Sequence, residues 1–272
     1  MTEVFTPQLA AIFESLVEDE SGIHYGPAER PLFTSKIAAQ AAEAGYENLL
    51  DYYYRLRYDD PDRVEMRALV ESLTVHETYF FREIMPLREL VDGHLTDLVR
   101  AHGRARVWSA ACSGGEEPLT LAMLLDQRGL TDRVEIVASD LSETAIARAR
   151  SGRHARRSLR PPYPEDLASA YLEISEKGVT SSPRLREAIR FRTLNLLDEA
   201  AIEELGRFDV ILCRNVLIYF RDPSIIRVLD RLARSLAAGG LLAVGIAESL
   251  LRFGTSFACE ERGGAFFYRS AR

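Results

Sequence analysis

Hydrophobic positions in the first part of the chain recur with a helical period: Leu9, Ile12, Phe13, Leu16 and Val17 fall on one face at about 3.6 residues per turn. Helical patterning, punctuated by Gly45 and Pro61, continues to about residue 85 and predicts an all-α N-terminal domain with its linker over 1–85. Beyond about residue 105 the pattern changes. Short β-rich runs over 106–111, 134–139, 208–213 and 241–246 alternate with helical stretches over 118–127 and 223–236. Such alternation builds a mainly parallel sheet with crossover helices, so 86–272 is expected to form one α/β domain. Within it, 153–190 is a Pro-rich, charged stretch too long for a plain connection and predicts a small inserted subdomain. The closing run FACEERGGAFFYR, with Gly263-Gly264 between two apolar stretches, predicts an antiparallel hairpin at the sheet edge, with no further domain expected after it.

Composition narrows the function classes. The 272 residues carry 34 Lys and Arg against 41 Asp and Glu, a net charge of -7, and 47% are hydrophobic. An acidic globular chain of this kind argues against a whole-protein grip on nucleic acid or on an anionic membrane. Cys112, Cys213 and Cys259 are widely spaced and lack a CxxC pair, so neither a disulfide framework nor a thiolate metal site is expected, and all three read as small core residues. The acidic N-terminus has no secretory signal pattern and no stretch reaches about 18 apolar residues. A cytoplasmic protein without membrane insertion is expected.

Candidate chemistry sits at the ends of the predicted strands. VWSAACSGGEEPLTLAMLL (107–125) places a strand, a turn of small residues and a helix start in succession, the local plan of a ligand crevice in an open α/β fold. It is not the G-x-G-x-x-G fingerprint, and Glu116 and Glu117 stand where a pyrophosphate would need the positive helix end. A ligand with cationic groups is favoured instead. In VEIVASDLS (134–142) the strand ends on Asp140, where such folds place an acid that binds a ribose diol, although a plain helix cap would also use one. A cationic nucleoside without phosphate matches both features, and S-adenosylmethionine is one.

These residues resemble the CheR-type chemoreceptor glutamate O-methyltransferases. The similarity runs through SLTVHETYFFRE (72–83), VWSAACSGGEEP (107–118), ASDLSETAIARARSG (138–152), FRTLNLLD (191–198), FDVILCRNVLIYF (208–220), LAAGGLLAVGIAESL (236–250) and the final GGAFFYR. The resemblance implies a Rossmann-like class I methyltransferase sheet with an antiparallel edge hairpin, an N-terminal all-α domain and an inserted β-subdomain. It implies S-adenosylmethionine as cofactor, S-adenosylhomocysteine as product and no metal. Carried over by position, the cofactor contacts fall on His76, Thr78, Arg82, Glu117, Asp140, Asn195, Leu196, Asn215 and Val216. The chain differs from the family's usual residues at His76 (Asn), Gly114 (Thr) and Leu119 (Tyr).

The implied activity is γ-methyl ester formation on glutamates of the cytoplasmic helices of a chemoreceptor by a monomeric enzyme. A glutamate carboxylate, with a pKa of about 4.3, is already ionised at neutral pH, so alignment rather than a general base is required. Arg82 is the candidate catalytic residue, pairing either with the acceptor carboxylate or with that of the cofactor, and its aromatic neighbours also allow a structural cation–π role. Two alternatives stand beside this reading: the same fold methylating a non-chemotaxis protein or a small carboxylic acid, and a non-catalytic module that binds the cofactor. The acid-free series Arg148, Arg150, Arg153, Arg156, Arg157 and Arg160 reads either as a solvated face or as a dock for an acidic partner.

Overall fold

A computed structural model of the chain describes residues 5–270, which form two compact units. The first unit comprises the chain up to Val75 together with Tyr219–Ser224. Its helices are α1 (Pro7–Ser21), α2 (Arg30–Glu43), α3 (Leu49–Tyr58) and α4 (Val64–Leu73). Each start is written locally. Thr6 accepts from the Leu9 amide and Pro7 opens α1, while Asn48 accepts from the Leu50 and Asp51 amides at the head of α3. The buried Asp60 carboxylate accepts from the amides of Val64 and Met66 at the start of α4. The periodic face seen in the sequence is the one buried: Phe13, Leu16 and Val17 join Phe33, Ile37, Tyr52, Leu56, Met66 and Leu69 in the core. The later segment closes on this unit through an antiparallel bridge between Ile23 and Phe220 and a bond from the His24 amide to the Tyr219 carbonyl.

The second unit contains His76–Ile218 and Ile225–Arg272. Residues 76–85, placed with the helical domain by the sequence pattern, lie in this unit. It opens with α5 (Ile84–Glu89), a π-turn at Leu90–Leu95 and α6 (Thr96–His102). The strands and helices then alternate: β1 (Ala105–Ala110), α7 (Glu116–Gln127), β2 (Val134–Asp140) and α8 (Glu143–Ser151). A small three-stranded sheet in the order β3-β5-β4 follows, built from β3 (Arg153–His154), β4 (Leu172–Ser175) and β5 (Gly178–Ser181), with α9 (Glu165–Tyr171) between β3 and β4 in the chain. The main chain resumes through α10 (Pro183–Glu187), β6 (Ile189–Thr193), α11 (Glu199–Glu203), β7 (Phe208–Cys213), α12 (Asp222–Ser235) and β8 (Leu236–Ala243). The hairpin β9 (Phe257–Arg262) and β10 (Ala265–Ser270) ends it, turning at Gly263-Gly264.

The seven-stranded sheet has the order β6-β2-β1-β7-β8-β10-β9. Neighbours from β6 to β8 are parallel, and β10 runs antiparallel to both β8 and β9. Strands added after β1 go first to one side, as β2 and β6, and then to the other, as β7 and β8. Order therefore reverses between β1 and β7, and the carboxyl ends of those strands border the crevice where open α/β sheets bind ligands. Val107, Trp108, Ile136, Val210, Ile211 and Leu212 are buried in these strands, which accounts for near-continuous apolar runs rather than alternation. Cys112 and Cys213 lie in this core, but Cys259 is exposed, because it sits on the terminal strand of the sheet.

Candidate active site

The loop after β1 turns sharply. Ala111, Ser113 and Gly115 all have positive φ (63°, 49° and 90°), and a Cβ on Gly115 would stand 2.7 Å from the Cβ of Ala149. Only the smallest residue lets this turn pack against α8. The Ser113 amide, swung inward, donates to Asp140 Oδ2 at 2.7 Å, and the Ser142 amide donates to its Oδ1 at 3.0 Å. Asp140, buried at the end of β2, thus joins the first loop to the second. Its own carbonyl accepts from the Leu194 amide, which fixes the loop after β6 beside it. In that loop Asn195 Oδ1 accepts from the Leu197 amide, while Leu196 is buried and its carbonyl accepts from Arg231.

The third strand end is organised by a residue that the sequence reading passed over. Arg214, the first residue after β7, has 1% of its side chain exposed and lies 2.9 Å from both Glu117 Oε2 and Glu83 Oε2. It also donates to the carbonyl oxygens of Arg82 (3.0 Å) and Glu83 (3.3 Å). Burial alone would weaken its charge, but Glu117 and Glu83 outweigh burial and raise its pKa above the ordinary arginine value. Reciprocally, burial would raise Glu83, yet the bond and charge of Arg214 hold its pKa below the usual carboxylate range. Glu117 takes a further bond from Ser109 Oγ at 2.7 Å. One buried guanidinium therefore clamps the segment carrying Arg82 to the acid of the first loop.

Asn215 follows with φ 59°, a conformation that asparagine tolerates well. Its amide nitrogen donates to the buried carboxylate of Glu248 at 2.7 Å, and Glu248 also receives the amides of Leu217 and Gly245. A Cβ on Gly245 would come within 2.4 Å of Asn215 Nδ2, so the end of β8 lies directly against this side chain. Val216 is half-buried beside it. Among the described residues, every non-glycine positive φ except that of Arg63 falls at Phe81, Glu83, Ala111, Ser113 or Asn215. Backbone held in sparsely populated conformations gathers where a structure positions groups for function.

His76 and Thr78 are half-buried on the segment leading to Arg82. Arg82 itself donates to the Glu77 carbonyl at 2.9 Å and stands 5.6 Å from the Tyr79 ring centroid, so the cation–π contact is present. The structure thus joins Arg82 to Glu117 through Arg214, and Asp140 to the Asn195 loop. Arg214, Glu83 and Glu248 escape sequence reasoning because their roles depend on partners up to 163 residues away. The only sequence signal was their place inside the motif segments.

Glu116, next to Glu117, is also buried, and its Oε1 lies 3.1 Å from Nδ1 of the buried His154 on β3. Burial opposes ionisation of Glu116, but His154 holds its pKa below the usual carboxylate range. Cys112 and Cys213 are pushed well above the ordinary thiol range, first by burial and then by neighbouring carboxylates, which leaves them unreactive. Among the described residues, no group of three or more His, Cys, Asp or Glu side chains could hold a metal ion, and no helix is long and apolar enough to cross a membrane.

Two family models match the chain. The one described as CheR methyltransferase, SAM binding domain, covers residues 76–263, and the one described as CheR methyltransferase, all-alpha domain, covers residues 10–74. Chemotaxis protein methyltransferase 1 of Pseudomonas aeruginosa is 33% identical over 248 residues, spanning 88% of this chain and 89% of that protein. Chemotaxis protein methyltransferase 2 of Vibrio cholerae is 32% identical over 251 residues, spanning 90% of this chain and 86% of that protein. A probable biofilm formation methyltransferase, WspC of Pseudomonas putida, is 31% identical over 243 residues, spanning 88% of this chain and 56% of that protein. With both models matching in order and the strand-end acids in place, the chain belongs to the CheR methyltransferase family, and its α/β unit is an S-adenosylmethionine-binding methyltransferase domain.

Proposed function

We propose that this protein esterifies glutamate side chains on the cytoplasmic helices of a chemoreceptor, using S-adenosylmethionine and releasing S-adenosylhomocysteine, as a cytoplasmic monomer that needs no metal. The observation that carries the proposal is the buried Arg214, which ties Arg82 and Glu83 to Glu117 at the end of the sheet where strand order reverses. The names of the Pseudomonas aeruginosa and Vibrio cholerae relatives support chemotaxis proteins as acceptors.

The residues present fit the cofactor. Asp140 accepts two backbone amides at the end of β2, where folds of this kind bring a carboxylate to a ribose diol. Glu117 offers a carboxylate to an α-ammonium group, and Asn195, Leu196, Asn215 and Val216 supply polar and apolar surface from the loops after β6 and β7. His76, Thr78 and Arg82 complete the set from the preceding segment. When bound, S-adenosylmethionine supplies an electrophilic methyl group on a sulfonium.

What this chain contributes is placement. Arg82, the candidate catalytic residue, would pair with the acceptor carboxylate through a charge-assisted bond and so orient it. Arg214 fixes the backbone of Arg82 and the side chain of Glu117 together, so the acceptor side and the cofactor side keep a constant separation. No residue is asked to remove a proton, since the acceptor is ionised before it arrives.

The test is transfer of labelled methyl from S-adenosylmethionine to receptor-containing membranes, followed by alkali treatment that releases ester-bound label as methanol. Alkali-labile label with the wild type, lost in Asp140→Ala and in Arg82→Ala, is expected. Cofactor binding without any label on receptor would reject the acceptor assignment. A second reading, methylation of a sensor outside motility, is favoured by the similarity to the biofilm-associated relative from Pseudomonas putida, and the same assay with such a sensor distinguishes it.

A further inference from the structure

The arginine series that runs from α8 into the inserted subdomain is not uniform. Arg148 and Arg150 lie in the last turn of α8, where a positive charge complements the helix dipole, and Arg150 donates to the Phe191 carbonyl. Those two have structural work. Arg156 and Arg157 do not: they occupy the 3-10 turn at Arg156–Ser158, are exposed, and form no side-chain hydrogen bond or ion pair among the described residues.

The turn that carries them is stitched to the segment preceding Arg82. The Phe80 amide donates to the Ser158 carbonyl at 2.8 Å, and Arg160 Nη1 lies 2.7 Å from Glu77 Oε1. The Tyr79 ring has the Arg160 guanidinium 4.4 Å from its centroid and that of Arg82 at 5.6 Å. Glu77, half-exposed, is held below the usual carboxylate range by its bond to Arg160 and by the charges of Arg82 and Arg157. Arg82, Arg157 and Arg160 therefore act on a single carboxylate, and Arg156 adds a further exposed positive charge in the same turn. This excess of positive charge sits beside the candidate catalytic arginine, on a protein whose net charge is -7.

We infer that Arg156, Arg157 and Arg160 form a docking surface for an acidic protein segment, which holds carboxylates flanking the acceptor glutamate while Arg82 takes the acceptor itself. Guanidinium groups suit this partner, because each presents a fork that matches a carboxylate, and exposed like charges left uncompensated repel one another unless a partner covers them. Without the patch, the acidic protein would repel an acidic acceptor; with it, encounter is steered to the face that carries Arg82. Glu77 occupies Arg160 until an incoming carboxylate shares or replaces it. The inference deepens the proposed function and rests on it for the identity of the acceptor, but its test does not need methyl transfer.

The probe is a fluorescently labelled helical peptide carrying several glutamates, compared with the same peptide with those glutamates replaced by glutamine. Binding to the full-length protein is followed by anisotropy at low and at moderate salt. The glutamate peptide is expected to bind more tightly than the glutamine peptide and to weaken with salt. The double variant Arg156→Glu/Arg157→Glu should bind it about tenfold more weakly, the size expected when a few rim charges are reversed. Its S-adenosylmethionine affinity, measured by calorimetry, should match the wild type. Equal binding of both peptides, undiminished binding by the double variant, or tighter binding of a DNA duplex through the same arginines would each overturn the inference. Loss of methyl transfer to receptor with peptide binding intact would instead count against the proposed acceptor.

Discussion

At the scale of single residues, the most consequential side chain is Arg214. It is buried with a carboxylate 2.9 Å away on either side. Replacing it by methionine leaves Glu83 and Glu117 as uncompensated acids, a loss of about 3–5 kcal/mol for a broken buried pair. Chemical denaturation of Arg214→Met should show this, and calorimetry should show weakened S-adenosylmethionine binding. Arg214→Lys keeps the charge but loses the fork, and should recover part of the stability with less of the affinity. Gly115→Ala gives a different kind of loss. Its φ of 90° and the 2.7 Å approach of a Cβ to Ala149 should cost about 1–3 kcal/mol, read as a lowered denaturation midpoint. The small-residue loop, Glu117 and Asp140 are legible as candidates because they stand at or just beyond recognisable strand ends, whereas Asn215 is a candidate only through the family resemblance. Arg214, Glu83 and Glu248 could not, because what defines them is a partner supplied by another strand end.

At the scale of elements, apolar runs predicted β1, β2 and β7 to within about one residue, since strands buried on both faces leave a continuous hydrophobic signature. The last parallel strand begins earlier than its apolar run, at Leu236, because Gly239 and Gly240 dilute the pattern within β8. β6 leaves no continuous apolar run: Ile189 and Phe191 alternate with Arg190 and Arg192, and an edge position leaves the arginines exposed. Helix α8 shows how an element serves the site. Ser142 caps it by accepting from the Ala145 amide, and the Ser142 amide donates to Asp140. Ser142→Ala should lower stability by about 1 kcal/mol, as for other lost caps. Because the bond to Asp140 comes from the backbone, it should leave cofactor affinity nearly unchanged. Calorimetry of that variant beside Asp140→Ala, which should bind much more weakly, separates the cap from the ligand group.

At the scale of the whole molecule, charge placement sets the response to acid. Glu83 and Glu116 are buried, yet each is held below the usual carboxylate range, by Arg214 and His154 respectively. A carboxylate whose folded pKa lies below its unfolded value contributes stability above that unfolded value, and the contribution fades as pH falls through the folded value. Stability should therefore hold from neutral pH to about pH 5 and decline below, through the ordinary carboxylate range of about 4.3. Glu116→Gln should be less stable than wild type at neutral pH and should approach it at low pH, as followed by urea denaturation across that range. The division into an all-α part and an α/β part was visible in the change of hydrophobic period. The completion of the first unit by Tyr219–Ser224 was not, because a return of so few residues leaves no periodic trace.

In the proposed reaction the methyl group ends on a glutamate side chain of a chemoreceptor. The most direct measurement is mass spectrometry of receptor peptides after incubation with the protein and S-adenosylmethionine. A methyl mass increment on glutamate side chains that mild alkali removes is expected, and it should be absent when Arg82→Ala replaces the wild type. An increment that resists alkali, or that maps to lysine or to a chain terminus, would contradict it.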